Sequence, residues 1–158
     1  MNIFSEFFLL FILFVTTIFS TFFCIIGLST PGWYFDNYCN LFCDQCPKTP
    51  SSLAIISMIL LIICIILLAL LIARIIDQQQ IFLIRFIIPS LLILSTIFLL
   101  IALTSYLNFI NPNHGYSYYL SIISFLFSYI ASLLAVFWLG TGGFLSKTYS
   151  VDIFIENR

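Results

Sequence analysis

The run "LAIISMILLIICIILLALLIA", Leu53 to Ala73, contains no charged residue and is almost wholly Leu, Ile and Ala. As a helix rising 1.5 Å per residue it would measure about 30 Å, the thickness of a bilayer's hydrocarbon core. Three more runs of similar length flank it: Phe7 to Leu28, Phe86 to Phe109 and Ser117 to Leu139. Membrane barrels instead alternate polar and apolar residues in segments of about ten, so these runs predict helices. The expected fold class is an all-α, left-handed four-helix transmembrane bundle. Residues 1–158 form a single domain, with helices at about 7–28, 53–73, 86–109 and 117–139.

Composition agrees. The chain is 63% hydrophobic and 7% charged, where soluble domains average about 45–50% and about 25%; its mean hydropathy is +1.22. A net charge of -1 with five Lys or Arg leaves no basic patch for phosphates, so no nucleic-acid partner is expected. The first partner is the lipid bilayer. The run after Glu6 has no basic flank and is too long for a cleavable signal's apolar region, so it reads as an uncleaved helix.

Four spans put both termini on one side. Arg74, Arg85, Lys147 and Arg158 fall on the terminal side and Lys48 opposite, so the positive-inside rule predicts cytosolic termini and the plasma membrane is the expected location. Residues 29–52 and 110–116 are then external loops, "DQQQIFLIR" from Asp77 to Arg85 closes a helical hairpin, and 140–158 is a cytosolic tail opening on a Gly-rich break. Trp33, Tyr34, Tyr38, Tyr106, Tyr116, Tyr118 and Tyr119 sit near the outer helix ends, as an aromatic belt would.

The runs carry no ionisable side chain at depth, which argues against proton-coupled transport, voltage sensing and intramembrane metal catalysis. They carry small, weakly polar residues at helical spacing instead. Ser124, Ser128 and Ser132 recur every four residues, flanked by Ser121, Ala131 and Ala135. Thr17, Ser20, Thr21, Cys24 and Gly27 form a similar stripe. Small residues let helices approach and hydroxyls add bonds of roughly 0.6 kcal/mol, so the stripes read as packing faces, with a pore lining or partner-docking face as the other reading. Cys24 and Cys64 are small packing residues.

The external stretch "STPGWYFDNYCNLFCDQCPKTP", Ser29 to Pro50, gathers Cys39, Cys43 and Cys46. An oxidising compartment favours a structural disulfide with one cysteine left over. Two other chemistries fit the same residues: zinc held by the three thiols and His114, or a redox pair in "CDQC". Four-helix membrane thiol oxidoreductases relay electrons through a second cysteine pair, and "NPNHGYSYY" in the third loop supplies none.

These pieces resemble the claudin, peripheral myelin protein and calcium-channel gamma-subunit superfamily. "TPGW" places Trp33 after the first helix, "NLF" (Asn40, Leu41, Phe42) is similar to that family's Gly-Leu-Trp element, and "GYSYYLSIISFLFSYIASLLAVFW" is similar to its fourth helix. The resemblance implies a disulfide between Cys43 and Cys46, with Cys39 to Cys46 the less strained alternative, and a loop anchored by Trp33, Leu41 and Phe42. The chain departs from the family in its short first loop, in the two residues between those cysteines and in its "ENR" ending. The resulting expectation is a non-enzymatic claudin-like tetraspan without cofactor. It would act through contacts with other membrane proteins, lateral or cell-to-cell, a homo-oligomer among them, at membrane junctions or as an accessory subunit. The alternative from another class is a thiol oxidoreductase using Cys43 and Cys46.

Overall fold

A computed structural model describes residues 3–30, 48–73, 78–107 and 115–156, with side chains in 7–30, 50–73, 83–107 and 115–140. Four helices follow one another: α1 (Ile3–Ser29), α2 (Lys48–Ile72), α3 (Gln78–Leu107) and α4 (Tyr116–Glu156). Among the described residues there is no strand. Each helix contains an apolar segment long enough to cross a bilayer: Phe7–Ser29, Pro50–Ile72, Leu83–Leu107 and Tyr116–Gly140. The chain is a multi-pass integral membrane protein with an all-α, four-helix fold.

Local chemistry accounts for the boundaries. Pro50 lies in the first turn of α2, where a missing N–H is no loss because those donors have no partner within the helix. Pro89 lies well inside α3, and the helix runs through it, as membrane helices tolerate. At the start of α4 the Tyr118 N–H donates to the Gly115 carbonyl at 3.1 Å. The glycines of "GTGG" do not end α4, which continues to Glu156; the expected break at the start of the tail is corrected to helix. Glycine costs about 1 kcal/mol against alanine in a helix interior, a weak brake on a helix whose nucleation cost was met two dozen residues earlier. Arg85, expected in the hairpin loop, stands inside α3.

The helices form a ring in which α1 neighbours α2 and α4, and α3 neighbours α2 and α4. Among the described residues the diagonal pairs, α1 with α3 and α2 with α4, do not approach within 8 Å between Cα atoms. Neighbours run antiparallel: Ser20 meets Ser124 while Thr30, further along α1, meets the earlier Ser117. Leu13, Leu61, Leu68, Ile88, Leu92 and Ala135 fill the middle of the ring, while Phe11, Phe22, Ile59, Ile66, Leu126 and Phe137 face outward. The usual amphipathic pattern is absent because lipid tails are as apolar as a core. What separates the inside from the outside is side-chain size and the hydroxyl group: Thr17, Ser20, Ser57, Ser95, Ser124 and Ser128 are all buried.

Candidate functional site

Some of the buried hydroxyls bond across helix pairs, while Thr17, Thr21 and Ser121 bond within their own helices. Between α1 and α4 the contact is reciprocal. Ser20 Oγ donates to the Ser124 carbonyl at 3.0 Å and Ser124 Oγ donates back to the Ser20 carbonyl at 2.8 Å. Each carbonyl keeps its helical bond and uses its second lone pair, so the contact adds bonds without removing any. The α2–α3 contact repeats the device. Ser57 and Ser95 approach at 2.7 Å between hydroxyls, with each hydroxyl also placed against the other's carbonyl, at 2.9 and 3.2 Å.

The third junction uses the next residue of α3. Thr96 Oγ1 donates to the Leu92 carbonyl at 2.7 Å, and that spends its one proton. Ser128, 2.9 Å away on α4, is therefore the donor to Thr96. Consecutive residues of α3, Ser95 and Thr96, thus fasten that helix to both of its neighbours.

Close backbone approach accompanies the bonds. A Cβ added at Gly27 of α1 would fall 2.6 Å from Ser121 Oγ and 3.3 Å from the Ser117 carbonyl oxygen and the Ser121 nitrogen. With Ser121 opposite, the absence of a side chain at Gly27 is what lets α1 lie this near α4. One turn on, Thr30 and Ser117 bring their hydroxyls to 2.8 Å; Thr30 also donates to the Ile26 carbonyl at 2.7 Å, which leaves Ser117 to donate to Thr30. Phe19 and Phe23 stack against Phe127 at centroid distances of 5.9 and 5.8 Å, flanking the same seam.

Of the serine stripe on α4, Ser124 and Ser128 lie in interhelical bonds. Ser132 instead donates to its own helix, to the Tyr129 carbonyl at 2.7 Å. Ser57, Ser95 and Thr96 were not singled out in the sequence. Their signal was faint: single hydroxyl positions in two Leu/Ile runs, with Ser57 and Ser95 equidistant in sequence from Ile76. Cys24 and Cys64 are buried free thiols on α1 and α2.

The tyrosines near the Thr30 end divide. Tyr116 and Tyr119 face outward, but Tyr106 and Tyr118 are buried and stack at 5.6 Å. These two are corrected from belt residues to packing residues between α3 and α4, because their positions on the helices turn them inward. At the opposite end the Arg85 guanidinium lies 5.2 Å from the ring centroid of buried Trp138, a contact that attracts a cation to the ring face. Cys39, Cys43, Cys46, Trp33, Leu41, Phe42 and His114 lie outside the described residues.

One small cavity lies among the described residues inside the ring. This cavity of about 10 Å³, lined by Cys24, Leu28, Pro50, Ala54, Leu99 and Ser121 among others, has room for about one water. Among the described residues no three His, Cys, Asp or Glu side chains come together. No family model, curated protein or solved structure matches the chain. The physical reading therefore rests on the helices themselves: a closed ring with a polar but uncharged seam, and broad apolar faces turned to the membrane.

Proposed function

We propose that this chain is a non-enzymatic tetraspan that acts through contacts with other membrane proteins, at membrane junctions or as an accessory subunit of a larger complex. This is the manner of the claudin, peripheral myelin protein and calcium-channel gamma-subunit superfamily it resembles. One observation carries the reading: the described hydroxyls inside the ring are spent on one another and on carbonyls. Groups so engaged are poor nucleophiles, since none has a base beside it. What the molecule then offers to others is its outer surface and its loops. The reading places both termini in the cytosol of a cell whose plasma membrane the chain crosses, with Cys43 and Cys46 joined in the first external loop.

Four measurements test it. The protein, purified in mild detergent, should bring a membrane partner with it, and Trp33→Ala should lose that partner while the four spans remain inserted. Peptide mapping without reductant should find one disulfide among Cys39, Cys43 and Cys46, and a tag after Arg158 should be reachable only in permeabilised cells. Turnover of a reduced dithiol with quinone, abolished by Cys43→Ser with Cys46→Ser but kept in Trp33→Ala, would replace the contact reading with the oxidoreductase.

A further inference from the structure

Tyr129 is out of place. It lies near the middle of the Tyr116–Gly140 span, roughly 16–20 Å from either end at 1.5 Å per residue, and its side chain is 49% exposed. A tyrosine at a membrane interface turns its hydroxyl to water, but from this depth neither interface is within reach. The hydroxyls of Thr16, Ser90 and Thr104 are satisfied by their own helix: Thr16 donates to the Ile12 or Leu13 carbonyl, Ser90 to Phe86 and Thr104 to Leu100 or Ile101. A phenol is held too far from its backbone to do the same. The ring itself is kept in place by Phe125, stacked on it at 6.4 Å.

Beside this pair, on the outer surface between α3 and α4, runs a groove of about 370 Å³. Its walls include Ile93, Ile97 and Leu100 on one side and Phe125, Tyr129 and Ser132 on the other. The groove alone would accept a lipid tail. A tail, however, brings no hydrogen-bonding atom to mid-depth, and a polar group left unsatisfied in hydrocarbon costs several kcal/mol. The occupant must carry a polar atom at the depth of Tyr129, and a polypeptide span brings one wherever its sequence places a polar side chain.

We propose that a second copy of this chain fills the groove, about a two-fold axis along the membrane normal. Such an axis preserves depth, so the hydroxyl of each Tyr129 stands level with its own counterpart and meets it when the axis passes beside the ring. A hydroxyl both donates and accepts, hence two identical ones satisfy each other, whereas a carbonyl or an amide N–H would not pair with its like. The Phe125–Tyr129 ridge of each copy then enters the groove of the other, the self-complementary arrangement a two-fold contact requires. This rests on the proposed function and names the surface through which the lateral contact is made.

The test is energy transfer between differently labelled copies of the full chain in phosphatidylcholine vesicles, read as lipid is added. The wild type should associate, Tyr129→Phe should weaken association about three- to fifteenfold, and Ile97→Trp, which fills the groove, should leave monomers. Ile59→Trp, on the outer face of α2, should match the wild type. All three side chains point outward, so melting in detergent should be unchanged. Association that ignores both groove variants overturns the groove and leaves the contact reading standing. A monomeric wild type overturns the second copy; if a different membrane protein copurifies, the contact reading survives, and if none does, both fall.

Discussion

Ser128 has no exposed surface and gives its proton to Thr96 across the α3–α4 seam, so the side chain that replaces it must fit a space made for one oxygen. Ser128→Phe should cost about 1–3 kcal/mol through forced displacement of α3, read as a lower melting temperature in detergent. Ile130→Phe, two residues along and facing lipid, should melt like the wild type; equal effects would mean the seam is not packed. A second seam gives a compensating pair. Gly27→Ala sets a methyl against Ser121 Oγ and should destabilise, and adding Ser121→Ala, which deletes that oxygen, should recover most of the loss. If the double variant is no better than Gly27→Ala, the clash lies with the α4 backbone. The small-residue stripes on α1 and α4 were legible in the sequence because they repeat at helical spacing. Ser57 and Ser95 were not, since one serine in an apolar run has the same sequence signature whether it faces a neighbour or bonds its own helix.

At the scale of elements, the apolar runs reveal themselves because lipid leaves the backbone no other way to satisfy its polar groups than a helix. Ends are less legible, for they depend on local terms worth about 1 kcal/mol. Gln78 to Arg85 read as a loop from its polar residues, yet those residues are good helix formers and extend α3 from Gln78. The pair Gly142 and Gly143 read as a stop, yet α4 passes through to Glu156. Spin labels placed singly along 141–156 should therefore show accessibility with a period of 3.6 residues, continuous with the period before Gly140. A flat profile beyond Gly143 would end α4 there. Tyr106 and Tyr118 show the same limit in another form: a tyrosine near a helix end suggests the interface, and only the neighbouring helix decides that it turns inward and stacks.

In the whole molecule four spans close into a ring, with three of its seams bonded by hydroxyls. The order of helices around the ring was not readable from the sequence, because every span is apolar on its outer face and bears small residues within. Mid-depth cysteines test that order most directly. A disulfide needs Cα atoms closer than about 7 Å, a condition that facing residues on neighbouring helices can meet and the diagonals, beyond 8 Å, cannot. Ser20→Cys with Ser124→Cys, and Ser57→Cys with Ser95→Cys, should each join when membranes are treated with a permeant oxidant and the peptides are mapped. Ser20→Cys with Ser95→Cys should remain unjoined under the same treatment. A bridge between Cys substituted at 20 and 95, or none in either adjacent pair, would contradict the ring.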